Sequence, residues 1–306
     1  MVEVAVGTEL RARYSRLYAL VSPTHTTGSR SALFIMMLDE LTARVARRLR
    51  GPLAPYGVST DHVYRNLHGR KPYRENLAAF MKLREGSQRE RDEFPLGKRW
   101  PCYGDRFDDA GTASGHYFHQ DLYVAQLIHA ALPVRHIDIG SRIDGFVAHV
   151  ASFRTVDVID IRPIRSSADN ISFHTRDIST EDPSWDDSCD SLSCLHVIEH
   201  FGLGRYGGAL DLQAWTRAWA NMTRMVRPGG TIYLSTVIGP QRIEFDAHRV
   251  FAVPTIVDLI EVGCSILSVA YVDDAGELHR AVDPHGPEAI NSFGCEFGCG
   301  IFEIRR

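Results

Sequence analysis

Three features of this 306-residue sequence predict an α/β protein with a mostly parallel sheet, an antiparallel last strand and a helical N-terminal extension. From Asp121 onward, short runs rich in Val and Ile alternate with helical stretches, the pattern of parallel strands covered by helices. The first such run ends at a glycine-bearing turn. Before residue 94 the apolar residues recur at helical spacing instead.

In the extension, Ser29 to Arg50 carries an apolar stripe through Leu33, Met36, Leu41, Val45 and Leu49, stopped by Gly51-Pro52. A short helix is expected from Ser59 to His68 and another after Pro72, through Leu77, Phe80 and Leu83. The charged run Arg84 to Glu93 reads as a solvated connector, and the boundary is set near residue 94, giving 1–93 and 94–306. In the second part the expected strands are Val134–Ile139, Val156–Ile161, Ile171–Thr175, Ser191–Leu195 and Thr231–Val237. Helices follow at Ala214–Val226, before Arg227-Pro-Gly-Gly230, and at Pro254–Val262. A two-stranded tail, Ser265–Val272 and Phe297–Ile304, completes the order of a Rossmann-like sheet.

Composition narrows the function classes. Apolar residues make up 44% and charged residues 24%, as in an ordinary folded chain. The longest clean apolar run, Ala32 to Leu38, is far short of the roughly 20 residues that cross a bilayer. With no basic-then-apolar leader at Met1, a cytoplasmic location is expected. Residues 1–120 hold 19 Lys+Arg against 13 Asp+Glu, and residues 121–306 hold 15 against 25. The basic residues of the first part are interleaved with acids, which reads as a solvated helix face, so no nucleic-acid partner is expected. Six cysteines read as reduced, and the Cys295-x3-Cys299 pair as buried thiols; no metal site is expected.

The motifs that carry chemistry sit at strand ends. In His136 to His149 a strand runs through Gly140 to Gly145 into a helix start, where backbone can approach a ligand. The glycine spacing departs from the dinucleotide fingerprint, and Asp138 and Asp144 suit a cationic ligand such as S-adenosylmethionine. Asp160 falls about 20 residues on, where a carboxylate receives ribose hydroxyls, and Asp177 follows the third strand at the adenine position. The densest polar cluster, Leu195 to Gly207, contains His196-x-x-Glu199-His200. Its pattern also fits inverted zinc peptidases, but those need a long helix where this chain has a strand and four glycines. An imidazole beside Glu199 suits proton removal from a hydroxyl, with His200 the first candidate, His196 the second and His248 the third. Arg205, Tyr206 and Arg249 are candidates for holding an anionic or sugar-like substrate, and His116 lies in Gly115 to Leu122, expected to close over the site.

On Gly115–Leu122, Asp138–Gly145, Val158–Pro163, His196–Gly207 and Phe245–Phe251 the chain resembles the methyltransferase-like domain of unknown function 268, over roughly residues 94–306. More distantly, Cys189–His200 and Arg227–Gly230 look like motifs of class I S-adenosylmethionine-dependent methyltransferases. The resemblance implies a Rossmann-like methyltransferase sheet and cofactor contacts at Asp138, Gly140, Asp160, Asp177 and Cys194, with Ser141, Gly145 and Ile178 alongside. The departure is at the first turn, where Arg142 and Asp144 replace later glycines of the usual pattern. The expected activity is O-methylation of a small polar acceptor such as a sugar or glycan hydroxyl, and the N-terminal helices are the surface through which a homo-oligomer would form. The alternatives are a methyltransferase-like binding module without catalysis and, third, a metal-dependent hydrolase using His196, Glu199 and His200.

Overall fold

The computed structural model describes residues 57, 59–165 and 167–306, so the helix expected over Ser29–Arg50 lies outside the described residues. The chain divides into two compact units between Gly111 and Thr112. Residues 94–111, which the sequence joins to the sheet, fall with the first unit.

In the first unit, α1 (Thr60–Glu85) is continuous where two helices are expected, with Pro72 inside it. A single proline removes one backbone donor, and the remaining ladder carries the helix past it. Ser59 caps it by accepting from the His62 amide at 3.2 Å. The charged run is also partly helical: Ser87 caps α2 (Gln88–Glu93), all of it outside the core, with Arg89 paired to Glu93 one turn away.

The second unit opens with α3 (His116–Ala131), followed by β1 (His136–Ile139), a distorted helical segment ending in α4 (Ala148–Ala151), β2 (Val156–Asp160), β3 (Ile171–Thr175) and β4 (Cys189–Leu195). Next come α5 (Ala214–Met225), β5 (Val226–Ile238), the hairpin β6 (Arg242–Glu244) and β7 (His248–Val250), and α6 (Val253–Glu261). The chain closes with β8 (Ser265–Val272), β9 (Leu278–His279), α7 (Pro287–Ile290) and β10 (Gly298–Arg305).

The sheet order is β3-β2-β1-β4-β5-β10-β8-β9. Strands β1 to β5 are parallel, and β10 inserts antiparallel between β5 and β8. This is a Rossmann-like, mostly parallel sheet with one reversed strand. The tail holds three strands rather than two, because β9 turns back at Asp273–Gly276 to pair with β8. The fifth strand also starts earlier than Thr231, since Gly229 and Gly230 bond to the Arg306 backbone.

Strand β1 is buried at every position, as expected of a strand covered on both faces. One face packs Ile137, Ile139 and Leu192 against Met222 of α5 and Ile256 and Ile260 of α6. The other packs Val156, Val158 and Ile301 against Val124 and Ile128 of α3 and Phe146 and Val150. Truncating Ile256 or Ile260 to alanine is worth about 2–5 kcal/mol of stability. Among the described residues no helix is long and apolar enough to cross a membrane.

Candidate functional site

A cavity of about 310 Å³ lies at the carboxyl ends of β1, β2, β3 and β4. The strand order explains the place: β1 is flanked by β2 on one side and β4 on the other, so the chain leaves the sheet in opposite directions and opens a crevice.

Its floor is the turn after β1. Gly140 has φ +70°, and a Cβ there would stand 2.9 Å from Val197 Cγ1. Asp138 is fully buried and turned inward, accepting from Ser193 Oγ at 2.6 Å and from Ser141 Oγ and amide at 2.8 and 3.1 Å. Burial pushes its carboxyl up to about 6, with the Ser193 and Ser141 bonds pulling the other way. Asp138 therefore braces the turn. Arg142 swings to the surface, where Nε and an Nη fork the Asp144 carboxylate at 3.1 and 3.0 Å. Gly145 makes room for Asp121: a Cβ there would lie 2.9 Å from the Asp121 carboxylate.

At the end of β2, Asp160 faces the cavity and is itself forked by Arg162, Nε to Oδ1 at 3.0 Å and Nη to Oδ2 at 2.6 Å. The Arg162 guanidinium lies over the Tyr206 ring, 4.4 Å from its centroid. After β3, Asp177 accepts from the Ser179 amide and hydroxyl at 2.8 and 2.7 Å, and Asn221 donates to the Ile178 carbonyl at 2.8 Å.

The histidine cluster follows β4. Within it Gly202, at φ +76°, is passed so closely by Asp211 that a Cβ would stand 1.8 Å from the Asp211 carbonyl. His196 Nδ1 is 2.8 Å from Glu199 Oε1, and Thr236 Oγ1 donates to the other carboxylate oxygen at 3.1 Å. Burial alone would lower the His196 imidazole, but Cys299 and Glu199 beside it outweigh that and hold it well above its usual range. The Glu199 carboxyl is lowered, its burial outweighed by the His196 bond and charge. His200 differs: its Nδ1 lies 2.7 Å from the Ala247 carbonyl, which only accepts, so Nδ1 carries the proton and Nε2 the lone pair. Burial lowers its pKa, leaving it neutral near pH 7. Arg205 donates to the same carbonyl at 2.9 Å.

The hairpin β6–β7 therefore lies beside the first cluster, as the sequence predicts, and its side chains are largely spent on holding it there. Arg249 is buried and donates to the Phe201 carbonyl at 2.6 Å, while His248 Nε2 is 3.1 Å from Glu244 Oε2. Of the sequence-predicted residues, Gly140, Ser141, Asp160, Asp177, Ile178, His196, His200, Arg205 and Tyr206 line one cavity. Asp138, Gly145, Cys194, Glu199, His248, Arg249 and His116 stand behind or beside it.

Residues without an assigned role in the sequence also line it: Tyr117, Gln120 and Asp121 of α3, with Arg142, Arg162, Arg176, Asp211 and Arg217. Helical spacing holds a signal for the first group, since Gln120 and Asp121 precede the buried Val124, Ala125 and Ile128 on one face. The charge arrangement is uneven. Arg142, Arg162, Arg176 and Arg217 are paired with Asp144, Asp160, Asp182 and Asp211, and Arg205 is bonded to a carbonyl. Among the described residues Asp121 and Asp177 form no ion pair within 4 Å, although the charges of Arg142 and His196 reach Asp121, that of Arg217 reaches Asp177, and burial raises the Asp121 carboxyl.

No curated protein matches the chain. Among solved structures it is similar to the [4+2]-cyclase SpnF, at 14% identity and TM-score 0.43 over 60% of this chain and 80% of that one. It is also similar to a Burkholderia thailandensis 1,6-didemethyltoxoflavin-N1-methyltransferase with bound S-adenosylhomocysteine, at 16% identity and TM-score 0.43 over 61% and 78%. A third is the N-methyltransferase NodS from Bradyrhizobium japonicum WM9, at 17% identity and TM-score 0.40 over 72% and 97%. The family model described as "Caenorhabditis protein of unknown function, DUF268" matches residues 154–275, a span that holds Asp160, Asp177, His196, Glu199 and His200 and stops short of β10. The matched span runs from just before β2 to the turn after β8 of the mostly parallel sheet.

Proposed function

We propose that the chain is an S-adenosylmethionine-dependent methyltransferase acting on a hydroxyl of a small polar acceptor such as a sugar or glycan. The observation that carries this reading is the charge of the cavity: its arginines are engaged, while Asp121 and Asp177 remain for a cationic nucleoside ligand. Asp121 beside Gly145 suits the ammonium group, Asp160 the ribose hydroxyls and Asp177 the base, with the Gly140 turn giving close backbone approach. When bound, the cofactor supplies a methyl group electrophilic enough to be displaced in line from sulfur. His200 accepts the acceptor's hydroxyl proton at Nε2, and the acceptor oxygen forms the new bond to carbon. Arg205 and the half-exposed Tyr206 ring orient the acceptor at the cavity mouth.

One observation favours a second reading, a binding module without catalysis: the Asp160 carboxylate is already filled by Arg162. Titration calorimetry with S-adenosylmethionine and S-adenosylhomocysteine separates the two. Micromolar binding that is weakened in both Asp160→Ala and Asp177→Ala supports the enzyme and justifies an acceptor screen starting from sugars. Failure to bind at millimolar ligand overturns it.

A further inference from the structure

We propose that His116, His196 and Cys299 hold a divalent metal ion of the zinc class beside the cavity. One ring nitrogen of each histidine and the Cys299 sulfur lie within 4.8 Å of one another. The three come from the start of α3, the end of β4 and β10, so the tertiary fold alone brings them together. The proposal does not depend on what the cavity binds.

The two histidines are held as ligands would be, while the Cys299 thiol donates to Gln120 Oε1 at 3.7 Å and would give up that proton on binding the ion. His196 Nδ1 is engaged by Glu199, which leaves Nε2 as the coordinating atom. That nitrogen is buried and has no hydrogen-bond partner of ordinary geometry; the Cys299 sulfur is beside it. The His116 ring is hydrogen-bonded by the Phe297 backbone. A carboxylate or a backbone group on the far nitrogen is the usual way a protein fixes the orientation of a ligating histidine. Glu199 is fixed in turn by Thr236 Oγ1.

The His116 and His196 ring centroids are 5.3 Å apart, about the separation of two imidazoles on one tetrahedral ion, and because the stacked rings are 7° from parallel one of them must turn to bring both in-plane lone pairs onto the ion. Two imidazoles and one thiolate with no carboxylate favour zinc over magnesium or calcium. Three protein ligands leave a fourth position for water or a donor atom of a bound molecule. Since His196 also lines the cavity, that position adjoins it. His196 adopts φ +54°, a strained conformation for a histidine, with its amide held by Ser235.

The test is metal analysis of the full-length chain after gel filtration, with cobalt titration of the chelator-treated protein. The expected result is one zinc per chain, and a thiolate-to-cobalt charge-transfer band on titration. His116→Ala and Cys299→Ser should lose the metal with circular dichroism unchanged, while Cys264→Ser keeps it. Glu199→Gln should weaken zinc affinity by about tenfold or more. If Cys299→Ser fails to fold, the wild-type cobalt spectrum decides, because the band requires a sulfur ligand. Zinc retained in both ligand variants, a cobalt spectrum without the band, or a folded wild-type chain that binds neither ion would overturn the proposal.

Discussion

The Arg162 guanidinium forks the Asp160 carboxylate at 2.6 and 3.0 Å, across the place where a ribose would meet the end of β2. Asp160 is nearly covered, whereas Arg162 is about half exposed and lies over Tyr206. Such partly exposed pairs contribute about 1 kcal/mol or less, so a ligand with two hydroxyls can displace the arginine.

Removing that competitor should help the cofactor. Arg162→Ala is expected to tighten S-adenosylhomocysteine binding by up to about fivefold, the equivalent of about 1 kcal/mol. Asp160→Ala should weaken it. Calorimetry on both variants checks this, and equal losses would mean that Arg162 contacts the ligand itself.

His200→Ala should lower kcat by about 10²- to 10⁴-fold with cofactor affinity nearly unchanged. Because burial lowers the His200 pKa, the acid limb of the wild-type pH–rate profile should have its midpoint below the ordinary histidine value. Activity is lost as pH falls through that midpoint, since the protonated ring has no lone pair to offer. A profile unchanged in the variant would remove His200 as base.

Gly202→Ala should destabilise the fold by about 3 kcal/mol, combining left-handed strain with a clash that backbone must absorb. The new methyl would sit against the Asp211 carbonyl, which is not the end of a flexible side chain. Denaturant unfolding measures the change, and a loss under about 0.5 kcal/mol would show that the 202–211 loop relaxes freely.

His136 predicts a pH dependence of stability. It is fully buried between Ser191 Oγ at 2.8 Å and Ser193 Oγ at 3.1 Å, and burial pushes it down to about 3. Below the unfolded value near 6.5 the unfolded chain takes a proton that the folded one refuses, so stability falls as pH drops from about 6.5 toward 3. His136→Gln should flatten that slope by up to about 1.4 kcal/mol per pH unit. Asp138, raised to about 6, acts in the opposite sense between about pH 4 and 6. Unfolding curves at several pH values from 5 to 7 in both proteins test the difference.

The elements that sequence made legible are those decided by neighbours in the chain. Periodicity located β3 to the residue and β1, β2 and β4 to within two residues at either end, because a strand buried on both faces is marked by its own Val and Ile. The α1 break at Pro72 was expected from a local rule, and the rest of the helix overrode it. The extra strand β9 has only two residues, too few to carry a pattern.

The candidate site divides along the same line. Gly140, Asp160, Asp177 and His200 lie at the ends of their strands or within five residues of them, so the order of strands and turns in the sequence was enough to bring them to one sheet edge. What the sequence could not specify is where each side chain spends its polar atoms. Asp138 turns inward because Ser193 of β4 stands beside it, and Arg249 is consumed by the Phe201 carbonyl. His116, His196 and Cys299 are separated by 80 and 103 positions and meet only because β10 reverses into the sheet beside β5. Apolar periodicity and turn residues act over a few positions and determine which elements form. The pairing of distant side chains depends on the packed three-dimensional arrangement, and only the tertiary structure decided it.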